Sequence, residues 1–287
     1  SAGLKKSGKL DMGVLYSEKP AVCAATLTKN KSKAAPIYLA IENLESDYIE
    51  AIVVNSGNAN ACTGGEGMDN AYIMAAQAAS NLNINKENVL VASTGLIGVQ
   101  LDMDKIIPGI QKACSEVSTH GGADMARAIM TTDTVPKTIT VETMIGDKPV
   151  KISGIAKGSG MIHPNMATML SFIVTNVNVS KKHLNDLFKD SVKDSYNMIS
   201  VDGDTSTNDM AVILANGTAG NTALEENEEH SQKFKEALDF VNQELAKMMA
   251  KDGEGASKFI EVSVHNAFTK EDARIISRSV VSSSLVK

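Results

Sequence analysis

The chain of 287 residues is 43% apolar and 22% charged, proportions that suit a folded globular protein and exclude a disordered or fibrous one. Lys+Arg number 28 against 34 Asp+Glu, a formal charge of −6, and no dense basic run is interleaved with aromatics, so nucleic acid is not an expected partner. Apolar stretches such as Met210 to Ala215 fall far short of the roughly 20 residues that span a bilayer, so no membrane segment is expected. Basic residues near the N-terminus are followed by no apolar run, and Cys23, Cys62 and Cys114 lack metal-type spacing. A reduced, cytoplasmic setting is expected.

At about 150 residues per domain the length allows two domains or one large one. Short β-branched runs alternate with helical periods, the pattern of an α/β chain. Pro20 to Thr28 and Ala51 to Val54 read as strands, and the second runs into the turn formers Asn55 to Gly64. Ala71, Met74, Ala75, Ala78 and Leu82 recur at steps of three and four and predict a helix over 68–82. Val89 to Ala92 reads as a strand ending at Ser93-Thr94-Gly95, followed by helices over 104–117 and 123–130, the first containing Pro108. Thr138 to Met144 and Val150 to Ala156 form an expected hairpin.

A glycine-rich turn at 157–160 leads to an apolar run, Met166 to Val177, expected as a central strand. Ser180 is an expected N-cap for a helix with Leu184, Leu187, Phe188 and Val192 on one face. The polar loop 202–209 feeds a strand from Met210 to Asn216. The acidic stretch Glu225 to Glu229 opens the longest helix, to about Ala250, its charge at the end the helix dipole favours. Phe259 to Val264 reads as a strand, and Lys270 onward as an amphipathic helix still running at Lys287. No linker rich in Pro, Gly or Ser divides the chain, and no internal repeat occurs.

Gly158-Ser159-Gly160 is not a Walker loop, because its lysine precedes the glycines. Asp202-Gly203-Asp204-Thr205 has the Asp-x-Asp-x-Thr shape of aspartyl-phosphate phosphatases, a match of only four residues. A calcium loop would need a closing glutamate that is missing, and a turn whose Asp and Thr side chains bond their own backbone competes with both. His120, His163, His183, His230 and His265 are scattered singly. They offer no metal-ligand spacing, and the 14 methionines fit as core filler.

Lys157 to Leu170 places Thr168 after Ala167 at the start of a buried strand. Ordinary β-propensity accounts for a threonine there. Another chemistry is open to it: attack of the hydroxyl on the preceding carbonyl, an N-to-O acyl shift and hydrolysis would split Ala167 from Thr168. The freed α-amine, with a reference pKa of about 7.7–8.0, would serve as base beside its own hydroxyl nucleophile.

The segment Lys-Gly-Ser-Gly-Met-Ile-His-Pro-Asn-Met-Ala-Thr-Met-Leu at 157–170 resembles the self-cleavage motif of the ornithine acetyltransferase family, the bifunctional glutamate N-acetyltransferases of arginine biosynthesis. VNSGNANACTG at 54–64, STGLIG at 93–98, MTTDTVPK at 130–137, SVDGDTSTND at 200–209 and DGEGA at 252–256 agree with the family in the same order. The resemblance implies a layered α/β/β/α sandwich like that of N-terminal-nucleophile hydrolases. It implies an α-chain portion, 1–167, and a β-chain portion, 168–287, held in one body and paired as a heterotetramer of two α and two β chains. Thr168 would be the nucleophile, Thr94 and Gly95, in the turn after their strand, the oxyanion pair, and Thr131, Lys157 and Glu254 the groups that bind the acylated amino acid. No cofactor or metal is implied. The expected reaction moves the acetyl group of N2-acetylornithine to glutamate through an acetyl-Thr168 ester, and some family members also accept acetyl-CoA as donor.

The resemblance stops short of the family's C-terminal section, which contributes an Asn and a Ser or Thr to the substrate site. Three other readings compete. An aminopeptidase or amidohydrolase of related fold would use water in place of glutamate, an Asp202 phosphatase would need magnesium, and a non-catalytic fragment would bind N-acetylated amino acids without turnover.

Overall fold

The first strand, β1 (Met12–Leu27), organises the chain because it bends in its middle. The computed structural model describes residues 1–162 and 169–287. After β1 come α1 (Ala35–Asn43), β2 (Ile49–Asn58), α2 (Gly64–Leu82), β3 (Val89–Leu96), α3 (Met103–Ser115), α4 (Gly122–Ala128), β4 (Lys137–Ile145) and β5 (Lys148–Lys157). Beyond the undescribed residues follow β6 (Leu170–Thr175), α5 (Lys181–Lys193), β7 (Met210–Ala215), α6 (Glu228–Lys251) and α7 (Lys270–Val281).

The strands hydrogen-bond in the order β3-β2-β1-β7-β6-β5-β4. The first half of β1, Met12 to Tyr16, pairs antiparallel with β2, and Val22 to Leu27 pair with β7, with an irregularity between Tyr16 and Ala21. Pro20 lies in that break, where a residue without an N–H interrupts the ladder least. Two wings result. Each contains a parallel pair, β2 with β3 and β6 with β7, joined by α2 and α5 as parallel strands require a crossover.

Side-chain alternation assigns the layers. Ala51, Val53, Val89 and Val91 pack with Met74 and Ala78 of α2 and Ile106 and Ile110 of α3. Their neighbours Ile52, Val54, Leu90 and Ala92 share a core with Leu170, Phe172, Val212 and Leu214 of the other wing, into which Ile37 of α1 and Met125 of α4 also pack. The outer face of that second wing, Ile152, Ile173, Ala211 and Ile213, packs on Leu184 and Phe188 of α5 and Phe234, Leu238 and Leu245 of α6. Helices, wing, wing, helices is the expected α/β/β/α sandwich. Burial of each such large apolar side chain contributes about 1.5–3 kcal/mol.

Several local expectations change. The strand expected over 20–28 begins at Met12, and the turn-forming residues Asn55 to Asn58 continue β2. The short α1, with Pro36 in its first turn, was not anticipated. Thr94 and Gly95 are part of β3 rather than of a turn after it. The longest helix opens at Glu228, because Leu224–Glu226 form a separate 3-10 turn, and α7 ends at Val281. Phe259 to Val264 is not a strand. Of the run expected over 166–177, the described strand is β6 alone. The junction Ala167-Thr168 lies outside the described residues.

Candidate active site

Where β5 ends and β6 and β7 begin, Lys157 pairs with Leu170 and Leu170 with Met210. One residue outward the backbone is held by a side chain: Met169 N–H donates to Asp209 Oδ1 at 2.8 Å, and Met210 N–H to Met169 O at 3.1 Å. Asp209 is fully buried, and its Oδ2 has no hydrogen-bond partner among the described residues. The Thr28 hydroxyl alongside donates to Ser206 O (2.7 Å) instead. Burial pushes the Asp209 carboxyl well above the usual carboxylate range, against the pull of the Met169 N–H and the Lys157 charge. An ionised carboxylate with one bare oxygen in the interior is costly, and the proton removes that cost.

The preceding residue ties this edge to the other wing. Asn208 Nδ2 donates to Ala59 O (2.6 Å) and Ser93 O (2.9 Å). Ser93 Oγ donates to Asn55 Oδ1 (2.6 Å), Asn55 Nδ2 to Asn58 O (2.9 Å), and Asn58 Nδ2 to Val99 O (2.9 Å). Asn208 thus supplies the donor that the buried Ser93 carbonyl requires, while Asn55 and Asn58 link the Ser93 hydroxyl to the backbone at Val99. Thr94 is buried and Gly95 exposed, in register with Ser56 and Gly57 of β2 where the ladder becomes irregular. Gly95 has φ +135°, and a Cβ there would come within 2.3 Å of Gly57 C. Only glycine fits so close an approach at positive φ.

Lys157, 3% exposed, donates from Nζ to Thr131 Oγ1 at 3.2 Å. Burial lowers its pKa, while the Asp133 carboxylate acts to keep it charged. Two residues on, Ser159 O accepts from Glu254 N–H (2.6 Å), and a Cβ on Gly160 would fall 2.5 Å from Glu254 Oε2. Thr131 and Lys157 therefore touch, and Glu254 lies against Ser159 and Gly160 a few residues along, a wall that carries a hydroxyl, a buried lysine and an exposed carboxylate. A cation can hold a substrate carboxylate and a carboxylate an ammonium. Thr168 itself lies outside the described residues, one position before the gripped Met169.

Lys5, unremarked in the sequence, donates from Nζ to Met130 O (2.5 Å) and Leu10 O (2.9 Å), and its Cγ would lie 3.4 Å from a Cβ on Gly57. It spans from beside Gly95 to beside Thr131, and burial lowers its pKa to about 8. The phosphatase motif is a turn: Asp202 accepts Asp204 N–H at 3.1 Å and the Met161 N–H, so both carboxylate oxygens are occupied by backbone. Among the described residues no three His, Cys, Asp or Glu side chains are grouped to hold a metal, and no helix is long and apolar enough to cross a membrane. Burial raises the Cys23 thiol to about 12 and the Cys114 thiol to about 11, so neither is a nucleophile.

The ArgJ family pattern matches residues 1–287. A protein from Clostridium acetobutylicum named arginine biosynthesis bifunctional protein ArgJ 1 is 56% identical over 287 residues, covering 100% of this chain and 70% of that protein. Among solved structures, arginine biosynthesis bifunctional protein ArgJ from Bacillus halodurans is similar with 42% identity and a TM-score of 0.54, covering 58% of this chain and 86% of its own. Ornithine acetyltransferase from Mycobacterium tuberculosis, complexed with ornithine, is similar with 36% identity and a TM-score of 0.53, covering 58% and 88%.

Proposed function

The chain belongs to the ArgJ family, and from that premise we propose that it transfers the acetyl group of N2-acetylornithine to glutamate, giving ornithine and N-acetylglutamate, with Thr168 as nucleophile. The observation that carries this reading is the wall on which Lys157 Nζ meets Thr131 Oγ1 at 3.2 Å and Glu254 N–H meets Ser159 O at 2.6 Å. Segments far apart in sequence converge there on complementary charges for an amino acid.

The nucleophile is generated first. Thr168 Oγ attacks the Ala167 carbonyl, the acyl group passes from nitrogen to oxygen, and water hydrolyses the ester, leaving a carboxylate on Ala167 and a free α-amine on Thr168. In turnover that amine takes the hydroxyl proton as Oγ attacks the acetyl carbonyl. Thr94 and Gly95 stabilise the oxyanion, in a role worth about 10²–10³ in rate per donor, and the amine returns the proton to departing ornithine. Glutamate's amine then attacks the acetyl-Thr168 ester and restores the hydroxyl.

The portions 1–167 and 168–287 remain one body, since β6 and β7 of the second are hydrogen-bonded to β5 and β1 of the first. The reading extends to a cytoplasmic heterotetramer of two α and two β portions, with acetyl-CoA as the alternative donor to test. Initial rates at varied N2-acetylornithine and glutamate decide the activity. Parallel reciprocal plots, with ornithine release beyond the first turnover requiring glutamate, are expected; sustained ornithine release at full rate without glutamate would make it an amidohydrolase instead.

A further inference from the structure

Lys137, at the start of β4, is completely buried, and its ammonium donates to Asp133 Oδ1 (2.6 Å), Asp252 Oδ2 (2.6 Å) and Val135 O (3.3 Å). Both carboxylates go on to hold backbone. Asp133 accepts Gly158 N–H on Oδ1 (2.7 Å) and Thr131 N–H on Oδ2 (3.1 Å). Asp252 accepts the Thr134 N–H on Oδ2 (3.0 Å) and the Thr134 hydroxyl on Oδ1. The residues so gripped are Thr131 itself, Gly158, the neighbour of Lys157, and Thr134; Asp252, which grips the last, lies two positions before Glu254.

Stability does not account for this cluster. A buried ion pair is about matched, and often exceeded, by apolar side chains of the same volume. Asp252 also occupies the C-cap of α6, the helix end where a negative charge is disfavoured. What an apolar cluster could not supply is fixed geometry among three chain segments: the stretch before β4, the end of β5 and the end of α6. Asp133 also faces the buried Lys157 charge.

We infer that Lys137, bridging Asp133 and Asp252, is the positioning residue that sets Thr131, Lys157 and Glu254 at the spacing the amino-acid substrate requires. The inference rests on the proposed function, deepens it, and assigns Lys137 no contact with the reacting atoms.

Lys137→Met leaves two carboxylates facing each other across an apolar stem. It should raise KM for N2-acetylornithine and for glutamate about tenfold or more, with a much smaller loss in kcat. p-Nitrophenyl acetate, an acetyl donor with neither carboxylate nor ammonium, should lose less than about threefold in turnover, because it does not use the wall. Asp252→Asn retains the shape and loses one charge, so a smaller KM increase of about three- to tenfold is expected, and it tests the same link should Lys137→Met fail to fold. Unchanged KM in both variants, or equal losses on the charged substrate and the aryl ester, would overturn the inference. Wild-type protein inert toward N2-acetylornithine would instead sink the functional reading.

Discussion

Gly95→Ala perturbs the strand proposed to supply the oxyanion donors at one atom. The added Cβ would lie 2.3 Å from Gly57 C, 2.5 Å from Asn58 N and 2.6 Å from Gly57 O, all backbone of β2, at φ +135°. Non-bonded carbons settle at about 3.5–4.0 Å, so β3 must retreat from β2 by about 1 Å. Displacement on that scale typically costs about 10²-fold in a catalytic geometry, and loss of an oxyanion donor about 10²–10³. Backbone strain of this kind costs about 1–3 kcal/mol of stability, too little to unfold a domain stable by about 5–15 kcal/mol. The assay is single-turnover ornithine release beside a urea unfolding curve. Gly98→Ala is the control, also at positive φ (+79°) but with nothing within 4 Å of its Cβ; it should lose about 1 kcal/mol and little rate. A folded Gly95→Ala protein within threefold of the wild-type rate would refute the reasoning.

Asp209 titrates above the ordinary carboxylate range in the folded state, so its contribution to stability is complete below the unfolded value of 3.8 and is lost as pH rises through the folded value. Asp209→Asn retains an acceptor for Met169 N–H, and its stability relative to wild type should improve as pH rises from about 4 to 8; urea midpoints across that range check it, and a relative decline would contradict it. Asn208→Ala leaves Ser93 O and Ala59 O without their buried donor and should cost about 1–3 kcal/mol in urea unfolding, together with slower acetyl transfer. Lys157→Met removes the buried cation and should raise KM for N2-acetylornithine by about 10- to 100-fold in steady-state kinetics.

Periodic segments were legible in the sequence because their partners are implied by the pattern itself. α2 and α5 each bury most of the apolar stripe that the three-and-four spacing marks, and Ser180 caps α5 through His183 N–H. The β4–β5 hairpin turns at Gly146, with φ +61°, between the paired Ile145 and Lys148. β-patterns need a neighbour: Phe259 to Val264 alternates suitably, yet no described strand pairs with it. The first half of β1 escaped because Gly13 interrupts it, and Gly13 is there to admit Met125 Sδ, which a Cβ would meet at 2.3 Å.

Thr94, Gly95, Thr131, Lys157 and Glu254 were reachable through family motifs. Asp133, Lys137, Asn208 and Asp209 lie in those motifs too, but their roles were not readable there, since they come from pairings across the fold. Lys137 meets Asp252 and Asn208 meets Ser93, each across 115 positions of chain. Local spacing does not encode such contacts, though the run of acids and an amide at 200–209, of which Asn208 and Asp209 are buried, is a signal that polar network chemistry could have used.

Intact mass under denaturing conditions, before and after incubation with N2-acetylornithine, tests the central claim most directly. The protein should appear as two species, one ending at Ala167 and one beginning at Thr168, with one added acetyl group on the second alone; Thr168→Ala should give a single uncut species that gains none. A wild-type chain that remains whole, or an acetyl group found on the species ending at Ala167, would contradict the account.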